Sequence, residues 1–334
     1  NVAELVAIRN GLLTLPNSGF REEKVKLCTQ LILDCLGLHT ELLSKDYVFQ
    51  QTDSGFFSLE ILNRSSIPVS VILDNKAINL PKNETFREAI LINNPNKLSN
   101  PYWLTNNFST LFKVENPKDL LQPESKPVFD KKIDLLVVND TISILLNGTY
   151  KWRIPSFGEK RREVIQAPEF TANFDQKLCI TNPGVKKSVK LKVHSFRENL
   201  SDKIQINAPA GWEVSPSSID VTLTKMHEEK WIELTVKPDS SAKSGILTLT
   251  NSKENMVHSF TEIIYDHIPT QVIFNHSEMK CVKLDAEIKP GKIAYIKGVE
   301  DAVPEAIEQL GFEVKRFEVT DLSSLDLSEF QSVV

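Results

Sequence analysis

The chain has 334 residues, with 39 Lys and Arg against 44 Asp and Glu, for a net charge of -5 at pH 7, a sign that argues against non-specific nucleic-acid binding. Hydrophobic residues at 41% and charged residues at 25% are values of a folded globular protein and exclude a disordered one. The length exceeds what one ordinary core serves, so two to four domains are expected, and no apolar run approaches the roughly 18 residues of a membrane span.

The sequence opens on Asn1 without Met or a signal peptide, and so reads as cut from something longer. Leu5, Ile8 and Leu12 predict a first helix that ends before Leu15-Pro16, because Pro disfavours helix in the residue before it. Val25, Cys28, Ile32 and Cys35 predict a second, with Ser18 as its N-cap and Gly37 just past its end. Residues 1–45 are therefore expected to be a helical hairpin, the tail of an upstream domain, packed on whatever precedes it. Cys28 and Cys35 are roughly 10 Å apart along the axis, beyond the roughly 7 Å limit for a disulfide, and read as buried free thiols on one helix face. The four cysteines form no metal pattern and leave the redox compartment open.

From about Tyr47 the apolar period becomes two. Phe57, Leu59 and Ile61 alternate with polar residues, and Val69, Val71 and Leu73 follow after Pro68. A Pro-rich interval at 95–127 predicts long loops, and two further strands at 133–138 and 141–146 meet at the turn Asn139-Asp140. Residues 46–157 thus predict one antiparallel β-sandwich. GEKRREV (158–164) reads as a linker into a second sandwich over 158–268. That module carries Leu178 and Ile180, then Val189, Leu191 and Val193, then INAPAGWEVSPSSIDVTL, then Ile232, Leu234 and Val236. Turn signals every eight to twelve residues are those of an immunoglobulin-like sandwich.

Residues 269–334 predict a linker and a truncated α/β domain. KIAYIKG is a strand, VEDAVPEAIEQLG a helix that Asp301 can open and Gly311 close, FEVKRFEV a second strand, and QSVV the start of a third. Strand–helix–strand of this length implies a parallel pair with a right-handed crossover, the start of a doubly wound domain. The fold class is accordingly mainly β: two tandem sandwiches, a helical hairpin before them and a truncated α/β domain after.

Chemistry is sparse. Gly298, Val299, Glu300 and Asp301 follow a strand where ligands of such folds bind, but one glycine and two carboxylates do not make a phosphate loop. A cap at Asp301 is the plain structural reading. The six histidines show no HxxxH or HxH spacing, and Asp266-His267 and His276-Ser277-Glu278 fall in an expected linker. No GxSxG elbow or nucleophile cysteine motif occurs. Tyr102, Trp103, Trp152, Trp212 and Trp231 could stack on sugar rings, with core packing as the alternative; Trp231 alternates with Ile232 and Leu234 and so points away from the core. The ligand-binding candidates are Trp231, Tyr102, Trp103, Gly298, Glu300 and Asp301, with no catalytic and no metal-ligating residue. Seven Asn-x-Ser/Thr sites would carry glycans in a eukaryotic secretory protein.

EILNRSSIPVSV, SNPYWL, NAPAGWEVSPSS, YDHIPTQVIF and KIAYIKGVEDAVPEAIEQLGFEV, in that order, resemble the C-terminal region of long bacterial PIG-L (LmbE-like) N-deacetylases. Where that family usually reads Gly-Ala-Gly-Asp before Val-Pro, this chain has Gly298-Val299-Glu300-Asp301. The resemblance implies catalysis in an N-terminal zinc domain with a His-Pro-Asp-Asp-Glu signature, zinc lowering the pKa of bound water and a carboxylate taking its proton. Neither His-Pro nor Asp-Asp occurs here, so no catalytic role is carried to any position. It further implies an amidotransferase-like closing domain, the upstream deacetylase domain as partner in the same chain, carbohydrate as ligand, and no cofactor in these residues. Three readings follow: accessory domains of a zinc-dependent carbohydrate N-deacetylase; an independent glycan-binding or adhesion module of an exported bacterial protein; or an enzyme whose site belongs to the closing α/β domain. Tandem sandwiches suggest export, and no membrane span or nucleic-acid partner is expected.

Overall fold

A computed structural model of the chain is mainly β, 49% strand and 15% helix, and describes residues 1–51, 54–93, 97–105, 110–286, 291–298 and 301–334. The residues fall into two units, one of Asn1–Pro168 with Thr261–Phe274, the other of Glu169–Phe260 with Asn275–Val334.

The first unit opens with α1 (Val2–Leu13) and α2 (Gly19–Cys35). Ser18 Oγ accepts from the Arg21 N–H at 3.2 Å. Past α2, the N–H groups of Gly37 and Leu38 return to the carbonyls of Asp34 and Leu33, the paired bonds of a Schellman end. Val2, Val6, Cys28, Ile32 and Leu36 join the same core as the strands that follow. The hairpin expected to pack on a preceding domain thus packs on the sheet of its own unit. Cys35, expected to be buried, is exposed: the buried ridge follows the i, i+4 row 28, 32, 36 and leaves residue 35 to one side.

The strands of this unit are β1 (His39–Ser44), β2 (Val48–Gln50), β3 (Gly55–Leu62), β4 (Val69–Leu73), β5 (Lys76–Asn79), β6 (Thr85–Ile92), β7 (Asp130–Val137), β8 (Asp140–Ile154), β9 (Gly158–Glu163) and β10 (Ile165–Ala167). They run in the order β5-β4-β7-β8-β1-β3-β6, with β9 also on β8 and β10 paired with β2. The first half of β8 pairs with β7; the second half lies parallel to β1 and antiparallel to β9. One long strand therefore serves two layers, and Val71, Leu135 and Ile142 share a core with Leu42, Phe57 and Ile61. Two expectations change: residues 39–44, expected within the helical hairpin, are strand β1, which lies parallel to β8, and GEKRREV, expected as a linker, is strand β9, joined to β8 by a turn that ends at Gly158.

The second unit holds β11 (Phe170–Phe174), β12 (Leu178–Thr181), β13 (Lys187–Ser195), β14 (Leu200–Asn207), β15 (Trp212–Ser215), β16 (Ser218–Leu223), β17 (Glu229–Pro238), β18 (Gly245–Thr250), β19 (His258–Tyr265), β20 (Ile268–His276) and β21 (Glu278–Lys283). One sheet is ordered β15-β17-β13-β11-β19-β20, the other β12-β21-β18-β14-β16. Their alternating inner residues, among them Leu191, Leu234, Ile204 and Leu247, form one core. Asp266-His267, expected in a linker, is the turn between β19 and β20, and 276–278 joins β20 to β21. The distal part of that hairpin, Thr261–Phe274, counts with the first unit. The expected boundaries at 157/158 and 268/269 therefore do not match the observed units.

Last come β22 (Lys292–Ile296), α3 (Val303–Gln309), β23 (Glu313–Phe317) and β24 (Ser332–Val333), with both β23 and β24 parallel to β22. Gln309 Oε1 accepts from the Ile180 N–H at 3.2 Å, so α3 satisfies a backbone donor on the edge of β12.

Candidate functional site

In the first unit the loop at 97–105 is fixed by polar contacts along its length. Ser99 N–H donates to the Gln166 carbonyl at 3.0 Å, and Gln166 N–H donates back to Ser99 Oγ at 2.9 Å. The buried Gln166 side chain accepts from the Lys97 N–H at 2.9 Å. Asn100 grips the far end of the hairpin, its Nδ2 donating to the Phe274 carbonyl at 3.1 Å and its Oδ1 accepting the Phe274 N–H at 2.6 Å. The turn Tyr102–Leu104 follows. Tyr102 N–H donates to Ser125 Oγ at 2.8 Å and its hydroxyl to the Gln122 carbonyl at 3.0 Å. Trp103 meets the Tyr102 ring edge-on at 4.9 Å.

A cavity of about 300 Å³ opens beside this loop, with Tyr102, Glu124, Arg161, Arg162, Glu163 and Val272 among its walls. Its cations are mostly engaged. Arg162 lies 3.9 Å from the Tyr47 ring centre and pairs with Glu262 at 2.8 Å, and Lys126 pairs with Asp119 at 2.8 Å. Glu124 and Glu163 have no ion pair among the described residues. Partial desolvation, and after it the charge of Glu124, hold the Glu163 carboxyl above the usual carboxylate range, although its side chain as a whole reaches solvent. Aromatic edge, hydrogen-bonding groups and a small apolar wall suit binding of a polar organic molecule. The described walls hold neither histidine nor cysteine, so no nucleophile–base pair of the Ser–His or Cys–His kind is formed there.

Arg161 is held in place from behind. Buried Glu41 on β1 meets Arg161 at 2.8 Å, Lys151 at 2.8 Å and His39 at 3.2 Å. Burial works against the Glu41 carboxylate, but the Lys151 hydrogen bond and the charges of His39, Lys151 and Arg161 outweigh it and bring its pKa below the ordinary value of 4.5. Between those two values the unfolded chain binds a proton that the folded chain refuses. The network's stabilisation is therefore complete above the ordinary value and is lost as pH falls through the lowered one. Glu41→Gln is expected to cost about 2 kcal/mol at neutral pH and to flatten the acid limb of a denaturant-midpoint against pH profile; an unchanged acid limb would count against the network.

The remaining candidates lie elsewhere. Trp231 is 57% exposed on the outer face of β17, with Lys192 Nζ 5.8 Å from its ring centre, over an open groove of about 550 Å³ flanked by Asp175, Lys190 and Glu233. Trp212 is a core residue whose indole donates to the Lys243 carbonyl at 2.9 Å, and Trp152 stacks on Tyr150 at 5.6 Å. Gly298 is exposed. Asp301 Oδ1 accepts from the Val303 N–H at 3.1 Å and the Tyr295 hydroxyl at 2.8 Å, but the N-cap of α3 is Ala302, without a side-chain bond, and not the expected Asp301. Glu300 and Val299 lie outside the described residues. The structure thus sets Trp103 against Tyr102, and among the described residues it brings no two candidates to one cavity, Tyr102 alone lining the one beside the loop.

Sequence spacing missed Arg161, Arg162, Glu163 and the wall at 269–272. β9 carries no period-two signal in charge, since Lys160, Arg161 and Arg162 stand together between Glu159 and Glu163; only the Pro155-to-Gly158 turn before it marks a strand pair. Four of the six histidines, unremarkable in spacing, form two pairs, His194–His227 with ring nitrogens 3.5 Å apart and His258–His276 stacked at 5.2 Å. Among the described residues, no group of three or more His, Cys, Asp or Glu could hold a metal ion and no helix is long and apolar enough to cross a membrane.

No protein-family model and no curated protein matches the chain. Among solved structures it is similar to native alpha-2-macroglobulin of E. coli, at 12% identity and TM-score 0.24 over 74% of this chain. The match spans 17% of that protein's length. A protein of unknown function from Porphyromonas gingivalis W83 aligns with 73% of this chain and 99% of its own at 10% identity and TM-score 0.18. Dpr2 Ig1-Ig2 in complex with DIP-Theta Ig1-Ig3 aligns with 74% of this chain and 99% of its own at 7% identity and TM-score 0.21. Similarity this slight says nothing of function.

Proposed function

We propose that this chain is a non-catalytic accessory region of an exported, zinc-dependent carbohydrate N-deacetylase of the PIG-L (LmbE-like) type, and that its first unit receives the sugar beside Tyr102. One observation carries the reading. Two of the stretches that resemble that family, SNPYWL and YDHIPTQVIF, lie far apart in sequence, yet both wall the same cavity and are locked together by Asn100 and Phe274. The closing parallel strands fit the start of a doubly wound, amidotransferase-like domain within the same proposal.

Titration of the purified chain with N-acetylglucosamine oligosaccharides tests it by calorimetry. Tyr102→Ala is expected to weaken binding at least tenfold, about 1.4 kcal/mol, while Trp231→Ala leaves it unchanged. Zinc-dependent release of acetate by the isolated chain would overturn the accessory role.

The exposed Trp231 and its groove favour a second reading, an independent glycan-binding module. In that case the two variants exchange effects.

A further inference from the structure

Cys179 and Cys281 stand about one hundred residues apart in sequence and face each other as register partners where β12 runs parallel to β21. Such partners point to the same face of the sheet about 4.8 Å apart, within the Cα separation a disulfide spans. Both lie in the core of the second unit, 1% and 0% exposed. The other two cysteines offer no such geometry, since Cys28 is buried on α2 in the first unit and Cys35 is exposed at its end.

We propose that Cys179 and Cys281 close to a disulfide when the chain folds in an oxidising compartment, tying the edge strand β12 to its neighbour β21, which comes last of that sheet in the sequence. The oxidant is a small-molecule or protein disulfide. One cysteine thiolate attacks the donor's S–S bond and releases one donor thiol; the second cysteine attacks the mixed disulfide and releases the other. One S–S bond breaks in the donor, one forms in the chain, and the two cysteine protons end on the two donor thiols. Burial sets the order of events. In the folded sandwich it raises Cys179 to about 11 and Cys281 to about 12, so few thiolates are available there, and exchange precedes closure of the core. The inference is independent of the carbohydrate reading.

The test refolds the reduced chain with and without glutathione disulfide, then unfolds it without reductant, alkylates it with iodoacetamide and weighs it. Of the four cysteines, all are expected to be alkylated without oxidant. With oxidant, only Cys28 and Cys35 should be, and trypsin should release a cross-link between peptides 178–186 and 281–283. The oxidised chain is expected to melt about 5–10 °C above the reduced one. That difference should vanish in the Cys179→Ala/Cys281→Ala double variant and persist in Cys28→Ala/Cys35→Ala. Full alkylation of an oxidised, folded sample overturns the proposal, as does a cross-link through Cys28 or Cys35, or failure to fold under oxidant alone.

Discussion

Phe57→Ala is expected to destabilise the first unit by about 3–5 kcal/mol, read as a fall in denaturant midpoint with an unchanged slope. Phe57 is 1% exposed and centres a cluster with Phe49 at 5.4 Å and Phe129 at 5.5 Å. The rings sit directly on backbone. A Cβ at Gly148 would lie 2.6 Å from the Phe57 ring, at the residue where β8 passes from one layer to the other. Gly148→Ala alone should therefore cost about 1–3 kcal/mol through overpacking. In the Phe57→Ala background the same methyl occupies vacated space, so the double variant should be more stable than the sum of the two losses by about 1 kcal/mol or more. Simple additivity would show that Gly148 is not where the ring bears on the chain.

The second large effect belongs to Gly211. It stands in a turn closed by the Trp212 N–H on the Pro209 carbonyl at 3.1 Å, with φ +81, which non-glycine residues adopt at a cost of about 1–2 kcal/mol. An added Cβ would lie 2.5 Å from Ala242 Cα and 2.8 Å from Ala242 N. Backbone cannot swing aside as a flexible side chain does, so Gly211→Ala is expected to destabilise the second unit by about 3 kcal/mol, some 5–10 °C in thermal midpoint. Gly298→Ala is the control: its Cβ meets nothing within 4 Å, and a change within about 0.5 kcal/mol is expected. Equal effects of the two would refute the steric account.

What the sequence disclosed and what it hid divide by range. Ser18, Gly37 and the apolar spacing of α2 act within a turn or two, and the hairpin is where they put it. Alternation over 231–236 likewise gave the outward face of Trp231. β9 was passed over because its residues are nearly all charged and show no apolar alternation: its side chains serve the cavity and the Glu41 network instead of the core. The cavity itself could not be read, because Tyr102, Arg162 and Val272 meet only after strand pairing joins distant segments. Cys179 and Cys281 were similarly invisible as a pair, since register between β12 and β21 is a long-range outcome. Cys35 failed for a subtler reason, the slant of a buried i, i+4 ridge across a helix.

The hairpin of β19 and β20 has a consequence for dissecting the molecule. Because the polypeptide enters its first unit twice, a clone ending at Pro168 would yield an incomplete body, with Asn100 robbed of Phe274 and the cavity missing its Val272 side. Either half could be produced faithfully only by splicing two separate exon-like pieces, or by circular permutation that keeps 261–274 beside its neighbours. The two bodies are thus interleaved along the gene, each assembled from two separate segments, rather than strung as beads.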